Sequence, residues 1–325
     1  MQKLKRTIVR AFLGAAAVAL SAAAAHAAEW PERPIRLIVP YPTGGLADIV
    51  SRTIGDEVSK VLGTPVVMEN RSGAGGQIGL QTMLQAPKDG YTIAMVVPAT
   101  MITLPLTNPD YKIKPLEQLE PITIAVDTFV TLVVDPALGI KTLDEFVAYA
   151  KSKPEGLNYG TPGAGTSFHF AAVLMAQKLG INAVHVPYKG EQQILNDIAG
   201  RALQFALVTN TGKSFIDAGK VTALAVTSSK RVSSLPNIPT FREAGVDFTT
   251  DGWVGYAAAK GTPKPIMDKL NAAFVKALNT PAVKQRLTDM GYQVIGNTPE
   301  QFTESVRAGM KKYGDLVRSG AVKMN

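Results

Sequence analysis

The chain has 325 residues, of which 46% are hydrophobic, 18% are charged and none is cysteine. The missing cysteines exclude disulfides and thiol chemistry, and a chain of this length buries a large core without cross-links. The formal charge of +8 is not concentrated in any block of five like charges, so it gives nucleic-acid binding no support.

The N-terminus has the pattern of a secretory signal peptide over residues 1–27. Four cations precede a short apolar stretch, and Ala25-His26-Ala27 places small residues at the −3 and −1 positions. This stretch is too short to span a membrane, and no later segment reaches the roughly 18 uncharged apolar residues that a span needs. We therefore predict a soluble periplasmic protein, whose charge falls from +8 to +4 when the four leader cations are removed.

Strand and helix patterns alternate along the rest of the chain. Apolar runs predict strands at 35–39, 66–68, 91–97, 119–126, 129–134, 158–160, 183–187, 205–209, 221–227 and 253–258. Helical periodicity predicts helices at 46–62, 78–84, 142–153, 168–179, 264–278 and 282–290, and a last helix that begins after Thr298. Thr142 and Thr298 each open a capping box, and only helices are predicted beyond the last strand.

The order of these elements indicates an α/β protein with two lobes. The last helix has an apolar stripe that consists of Phe302, Val306, Met310, Tyr313 and Val317. The acidic residues Glu304 and Asp315 on the same helix favour packing of this stripe in a protein core over binding to a membrane surface. If this helical tail packs on the first lobe, the chain leaves that lobe near Asp127 and returns near Thr250. We therefore predict a first lobe of 28–127 plus 250–325, a second lobe of 128–249, and a cleft between them.

Three glycine-containing loops lie where a predicted strand ends and a helix begins. They are YPTGGLAD at 41–48, ENRSGAGGQIG at 69–79 and YGTPGAGTSFHF at 159–170. Unpaired backbone N–H groups and the positive end of the helix dipole meet at such places. Each loop alone is also explained by ordinary turn chemistry. Three of them across both predicted lobes favour a small carboxylate ligand, held by neutral donors that allow its release.

Other site classes have little support in the sequence. The dinucleotide fingerprint would need glycine at position 78, which is isoleucine, and there is no phosphate-binding GxxxxGK[ST] motif. After residues 1–27 the only histidines are His169 and His185, too few for a histidine-rich metal site. Ser167 and His169 stand two apart on a predicted helix and do not face each other, and no GxSxG motif occurs. We expect no enzyme activity, no cofactor and no metal.

Several motifs in this order resemble the Bug family, the periplasmic solute-binding proteins of tripartite tricarboxylate transporters (TctC-like). Besides the three loops, they include WPERPIRLIVPYPTGG, PKDGYT at 87–92, HVPYKG at 185–190, AGKVTALAVTSSKR at 218–231, LPNIPTFREAG at 235–245 and GWVGYAAAKGTP at 252–263. The resemblance covers the chain after residue 27. It implies a type II periplasmic-binding fold, in which two α/β lobes joined by two crossing strands close on a ligand in the cleft.

The resemblance also implies which residues hold a carboxylate. They are Tyr41, Pro42, Thr43, Gly44 and Gly45 in the first loop, Ser72, Gly73, Ala74 and Gly75 in the second, and Gly165, Thr166 and Ser167 in the second lobe. Thr43 stands where alanine is common in the family, and its hydroxyl either touches the ligand or caps its helix. Asp48 either pairs with the ammonium group of an amino-acid ligand or supports the first loop.

Three further candidates have a structural alternative. His169 either contacts the ligand or makes a structural hydrogen bond, and Tyr188, with Lys189, either contacts the ligand or shapes a turn. Thr209, with Asn210, ends a second-lobe strand and is a loosely assigned specificity group. Trp253 is expected to pack where the lobes cross.

The function expected from this resemblance is that of a periplasmic receptor. It would bind a di- or tricarboxylate, an aromatic carboxylate or an acidic amino acid, and deliver it to the large and small membrane subunits of the transporter. The alternative is a sensor that presents its ligand to a membrane histidine kinase, which a kinase gene without a permease pair in the genomic neighbourhood would favour. We expect a monomer that binds no nucleic acid.

Overall fold

The computed structural model describes residues 30–44, 46–250 and 252–320. The predicted signal peptide at 1–27 lies outside the described residues, and so does Gly45 of the first loop. No helix in these ranges combines the length and the apolar character that crossing a membrane requires.

Strands and helices alternate along the described chain. The strands are β1 (Ile35–Val39), β2 (Val66–Asn70), β3 (Thr92–Val96), β4 (Leu119–Thr128), β5 (Thr131–Val134), β6 (Leu157–Thr161), β7 (Ala183–Pro187), β8 (Phe205–Val208), β9 (Thr222–Val226), β10 (Gly252–Ala259) and β11 (Gln293–Val294). The α-helices are α1 (Leu46–Leu62), α2 (Gln77–Leu84), α3 (Leu104–Thr107), α4 (Pro115–Gln118), α5 (Leu143–Lys151), α6 (Ser167–Leu179), α7 (Glu191–Ala199), α8 (Lys213–Asp217), α9 (Lys264–Leu278), α10 (Pro281–Asp289) and α11 (Pro299–Arg318).

Six of the described strands form the first sheet, in the order β11–β4–β10–β3–β1–β2. β1 pairs in parallel with β2 and β3, and β10 runs antiparallel between β3 and β4. Every residue of β3 is buried, as in a central strand with helices on both faces of its sheet. Helices α1 and α9 cover one face, and α2 and α11 cover the other.

The other five described strands form the second sheet, in the order β7–β6–β8–β5–β9. β6 lies parallel between β7 and β8, and β5 runs antiparallel to β8 and β9. Phe146 of α5 and Met175 of α6 are buried on one face of this sheet, and Ile194 and Ile198 of α7 are buried on the other.

The chain passes between the two sheets twice, and the crossings lie side by side. β4 ends at Thr128, β5 begins at Thr131, and Thr128 pairs in register with Gly252 at the start of β10. A Cβ atom on Gly252 would lie 2.7 Å from the Thr128 carbonyl oxygen, so a larger residue would push the crossings apart. Two α/β lobes joined by two crossing strands agree with the predicted fold, while the lobe boundaries at 127/128 and 249/250 stay a prediction.

The last helix packs as its sequence pattern predicts. Phe302 and Val306 are fully buried in the core of the first sheet, and the Phe302 ring meets Trp253 edge-on at 4.8 Å between centroids. Both predicted capping boxes are present, from Thr142 to Glu145 and from Thr298 to Gln301. These local hydrogen bonds fix where α5 and α11 begin.

Some elements differ from the predicted ones. The expectation that only helices follow β10 is wrong, because Gln293–Val294 pairs antiparallel with β4. Such a short strand is defined by its partner and has no local periodicity of its own. Helix α7 was not predicted either; its N-cap is Gly190, which provides no side-chain capping bond and therefore no start signal.

Candidate functional site

A cavity of about 520 Å³ lies between the two sheets. The first-sheet side contributes Tyr41 and Pro42 from the first loop, together with Met95, Trp253, Tyr292 and Tyr313. The second-sheet side contributes Phe129, Thr166, Ser167, Phe168, Thr209 and Asn210. A concave apolar site at the junction of two lobes is the usual place for a small-molecule ligand.

The cavity has an uncharged wall. Among the described residues that line it there is no Asp, Glu, Lys, Arg or His, and most of the side chains are apolar. No group of three or more His, Cys, Asp or Glu residues in the described chain is arranged to hold a metal ion. An ionic ligand would therefore depend on backbone groups, hydroxyls and amides for its hydrogen bonds.

The N-terminus of α6 forms one end of the cavity. Thr166 is the N-cap, and its hydroxyl accepts a 3.3 Å hydrogen bond from the His169 amide and donates one of 2.8 Å to the Gly163 carbonyl. No partner for the amides of Ser167 and Phe168, or for the Ser167 hydroxyl, is found among the described residues. These donors lie at the positive end of a 13-residue helix, which favours an anion.

His169 holds the turn that precedes this helix. The Gly165 amide donates to its Nδ1 atom over 3.1 Å, so the neutral ring carries its proton on Nε2. The ring stacks on His185 with 3.9 Å between centroids, and His185 Nε2 lies 2.6 Å from the Thr161 hydroxyl. His169 is 3% exposed and is not among the cavity-lining residues, so its contacts fit the structural alternative. Ligand contact by His169 and by Gly165 stays a prediction.

The buried histidine pair makes stability depend on pH. Burial, with a smaller contribution from His185, lowers the pKa of His169 to about 4, and burial also lowers the pKa of His185. The unfolded chain therefore binds more protons below pH 6.5, and stability falls as the pH drops from about 6.5 to about 4. We expect His169 to contribute about 3 kcal/mol to this fall.

Chemical denaturation across this pH range measures that fall. His169→Asn keeps an acceptor for the Gly165 amide but does not titrate, so its unfolding free energy should fall less steeply. Parallel curves for the two proteins would contradict a role for His169.

Only part of the first predicted loop reaches the cavity. Tyr41 and Pro42 line it, whereas Thr43 and Gly44 are exposed and are not lining residues. Burial raises the pKa of Tyr41 to about 12, which keeps its hydroxyl protonated at neutral pH. Ligand contact by Thr43 and Gly44 stays a prediction, and Gly45 lies outside the described residues.

Asp48 fastens the first loop to the end of β2. Its carboxylate accepts hydrogen bonds from the Gly44 amide (2.9 Å), Arg52 Nε (3.0 Å) and Asn70 Nδ2 (3.0 Å), and Asn70 Nδ2 also donates to the Tyr41 carbonyl. The Arg52 guanidinium, helped by the Gly44 and Asn70 donors and opposed by burial, lowers the pKa of Asp48 to about 2. The residue is 2% exposed and lies outside the lining set, so these contacts fit the supporting role. Pairing with a ligand ammonium stays a prediction.

The second predicted loop is placed at the surface. Ser72, Gly73, Ala74 and Gly75 are exposed, and the described cavity lining includes none of them. Gly73 and Gly75 have φ angles of 133° and 65°, which glycine adopts without strain. Their predicted contact with a carboxylate is not tested by this arrangement and stays a prediction.

Thr209 lines the cavity, and its amide and hydroxyl donors already bond to other residues of the protein. Its amide donates to Glu191 Oε1 over 2.8 Å, and its hydroxyl lies 3.1 Å from both Glu191 carboxylate oxygens. Burial raises the pKa of Glu191, against hydrogen bonds from Thr211 and Thr209 that lower it. Tyr188 is outside the lining set, and its hydroxyl donates to Asp197 over 2.8 Å. These bonds occupy the Thr209 donors, and the ligand contacts predicted for Thr209 and Tyr188 stay predictions.

Several aromatic lining residues were not predicted as part of the site. Phe129 follows β4, Phe168 is in the first turn of α6, Tyr292 precedes β11 and Tyr313 is near the end of α11. They are brought together only by the packing of the two sheets. No local motif marks them, and each has the appearance of an ordinary core residue in the sequence.

Comparisons with known proteins agree with this architecture. The family model "Tripartite tricarboxylate transporter family receptor" (TctC) matches residues 50–321. The chain is 35% identical over 316 residues to the "UPF0065 protein in gbd 5'region" of Cupriavidus necator, with 95% of each chain covered.

Three solved structures are similar over nearly their whole length. The periplasmic binding protein BugD has 32% identity and a TM-score of 0.72, with 90% of this chain and 99% of that chain covered. MatC from Rhodopseudomonas palustris with bound malate has 30% identity and a TM-score of 0.72, with 89% and 100% covered. R. palustris Rpa4515 with adipate has 28% identity and a TM-score of 0.77, with 90% and 99% covered. This chain therefore belongs to the tripartite tricarboxylate transporter receptor family, as a Bug-type periplasmic solute-binding protein.

Proposed function

We propose that this protein is a periplasmic receptor that binds a small carboxylate in the cavity between its two sheets. The observation that carries the proposal is the N-terminus of α6, where the amides of Ser167 and Phe168 and the Ser167 hydroxyl have no hydrogen-bond partner within the described part of the chain. These groups meet a cavity whose described lining has no charged side chain. An anion at this place receives donors and a favourable dipole without a fixed cation.

The strength of these bonds suits reversible capture. A hydrogen bond to a charged group contributes about 1.5–3 kcal/mol, so three such donors are able to offset much of the cost of removing a carboxylate from water. A lysine or arginine in the wall would add a strong charge that slows release. Affinity near micromolar, about −8 kcal/mol, is consistent with capture followed by transfer.

The relatives support the choice of ligand class. Two of the similar structures hold malate and adipate, which share carboxylates and differ in chain length. The family description supports transfer of the ligand to the two membrane subunits of a tripartite transporter. The N-terminal pattern at 1–27 supports location in the periplasm.

Closure of the lobes is part of this proposal. Asn210 on the second-sheet side donates a 3.0 Å hydrogen bond to the Met290 carbonyl on the first-sheet side, and the Ser233 hydroxyl donates one of 2.7 Å to the Thr288 carbonyl. These bonds exist only when the lobes are together. A ligand that contacts both sides therefore favours the closed arrangement.

A thermal-shift screen tests the proposed ligand class. A carboxylate ligand at 100 times its dissociation constant should stabilise the protein by about 2.7 kcal/mol, which corresponds to a rise of roughly 4–5 °C in melting temperature for a chain of this size. Neutral sugars and cationic metabolites at equal concentrations are the controls. The proposal fails if one of these controls raises the melting temperature and no mono-, di- or tricarboxylate does.

A further inference from the structure

Most polar side chains of the cavity lining already bond to other parts of the protein. Four of them pair with residues outside the lining: Thr166 with the Gly163 carbonyl, Thr209 with Glu191, Asn210 with the Met290 carbonyl and Thr250 with Thr227. The Tyr292 hydroxyl has no partner among the described residues, but it is itself buried and does not open into the cavity. A polar ligand group that met these side chains would compete with existing hydrogen bonds.

The α6 end of the cavity combines donors with the positive pole of a helix. The amides of Ser167 and Phe168 and the Ser167 hydroxyl have no partner in the part of the chain that the structure describes. On the first-sheet side Ala47 of α1 lines the cavity, but the adjacent Asp48 already gives that helix end a carboxylate, which accepts the Gly44 amide. The start of α6 is therefore the one strong position for an anion.

A second carboxylate would be poorly stabilised elsewhere in the cavity. The described lining contains no Lys, Arg or His. The other lining hydroxyls belong to Tyr41, Thr128 and Tyr313, and burial keeps the Tyr41 hydroxyl neutral by raising its pKa to about 12. Hydrogen bonds from neutral hydroxyls are weak in net terms, whereas a carboxylate that leaves water loses strong hydration. The wall therefore discriminates against a second negative charge.

The rest of the wall favours an apolar ligand body. Met95 and Val254 add aliphatic surface from the first sheet, and six lining residues carry aromatic rings: Tyr41, Phe129, Phe168, Trp253, Tyr292 and Tyr313. Each methylene that moves from water to such a wall strengthens binding by about 4-fold, and aromatic rings also pack favourably on one another. A volume of about 520 Å³ has room for an aromatic ring or a medium-length alkyl chain.

We propose that the cavity selects monocarboxylates with a bulky apolar body, either an aromatic ring or a medium-length alkyl chain, over dicarboxylates of matched size. The proposal deepens the function above and rests on it. The single carboxylate binds at the start of α6, and the apolar body lies against the aromatic lining. The uncharged wall on the first-sheet side is the part of the site that sets this specificity.

Matched ligand pairs test this selectivity. Hexanoate with adipate, octanoate with suberate, and 4-methylbenzoate with terephthalate each exchange one methyl group for a carboxylate. Binding is followed by calorimetry and by the fluorescence of Trp253, which lines the cavity and is one of two tryptophans in the chain. In the pair that binds best, the monocarboxylate should bind about 10-fold more tightly or better, because only the dicarboxylate loses the hydration of a second charge. A smaller ratio or a reversal overturns the proposal.

The length of the alkyl chain gives an independent measurement. From butanoate to octanoate, each added methylene should strengthen binding by about 4-fold until the cavity is full. An affinity that stays constant from butanoate to octanoate would show that the chain remains in water, and it would contradict an apolar recognition site.

Ala47→Lys tests whether the uncharged wall causes the selectivity. Ala47 is half-buried in the first turn of α1, on the first-sheet side, so a lysine there adds a cation to the wall opposite α6. The ratio of dicarboxylate to monocarboxylate affinity should rise by about 10-fold or more, as a hydrogen bond to a charged group would give. Ala47→Met is the matched control, because it adds an unbranched chain without a charge and should keep the preference for the monocarboxylate. Melting curves establish that both variants fold.

The outcomes separate this proposal from the function on which it rests. If carboxylates bind but dicarboxylates bind as tightly as their partners or more tightly, the selectivity is overturned and the receptor function stands. An unchanged ratio in Ala47→Lys would likewise overturn the role of the uncharged wall. If no carboxylate binds, both proposals fall.

Discussion

Ser167→Pro is expected to weaken carboxylate binding by about 10- to 100-fold. Ser167 is the first residue of α6, and proline removes its amide proton and its hydroxyl together. Loss of even one hydrogen bond to a charged group costs about 1.5–3 kcal/mol, which corresponds to this range of affinity. Calorimetric titration with the best carboxylate from the thermal-shift screen measures the effect.

The fold should tolerate this proline. The first helical position is favourable for proline, and Thr166 before it has φ −75° and ψ 161°, the extended conformation that a residue preceding proline adopts. The melting temperature of the free protein should therefore change little.

Ser167→Ala is the matched control because it removes the hydroxyl and keeps the amide. Its loss of affinity should be clearly smaller than that of Ser167→Pro. Equal affinity in the proline variant and the unmodified protein would show that the anion binds elsewhere.

Asp48→Ala should lower the free energy of unfolding by about 3 kcal/mol at pH 7. The substitution leaves the Gly44 amide and one Asn70 donor without their acceptor, and it breaks the ion pair with Arg52. Arg52 is 45% exposed and stays hydrated, which keeps the cost at the lower end of the values for buried pairs. Urea denaturation at pH 7 gives the difference.

The pH dependence of the same variant has a definite sign. Asp48 has a lowered pKa in the folded state, so its stabilising effect is present above the pKa of about 3.9 that it has in the unfolded chain, and is lost as the pH falls towards about 2. The difference between Asp48→Ala and the unmodified protein should therefore shrink in acid.

Asp48→Asn is the control that keeps the size of the Asp48 side chain and removes its charge. It keeps the volume and one acceptor, yet its amide opposes the Asn70 amide, so an intermediate loss of stability is expected. A full 3 kcal/mol difference that persists unchanged at pH 2 would contradict the ionic origin of the effect.

The fold was predictable where local signals determine structure. The capping boxes at Thr142 and Thr298, and the buried runs of β1 and β3, correspond to hydrogen bonds and periodicities within a few residues. Strand β11 and helix α7 were missed because neighbouring elements define them. β11 exists through its pairing with Asp127 and Val126, and α7 through burial of Ile194 and Ile198 under the second sheet.

The site was predictable only in part, for a similar reason. Strand-to-helix turns lie at the cavity in both lobes, as Pro42 and Ser167 do, and their glycine-rich sequences mark them. The side chains that close the remaining walls come from the crossings and from the C-terminal segments. Trp253 was expected at the lobe crossing, but the sequence gives no sign that Tyr292 reaches the same cavity.

The N-terminal turns of α1 and α6, which follow the first loop and the second-lobe loop, differ in charge. α1 carries Asp48 in its first turn, so its positive pole is already occupied by an internal anion, whereas the first turn of α6 contains no acidic residue. A solute with a negative group is therefore drawn to one lobe and not equally to both. We expect it to dock on the second-sheet half first, while the protein is still open, and to meet the first-sheet half only through its uncharged remainder. We therefore expect the second-sheet half to bind the solute first during capture and to release it last.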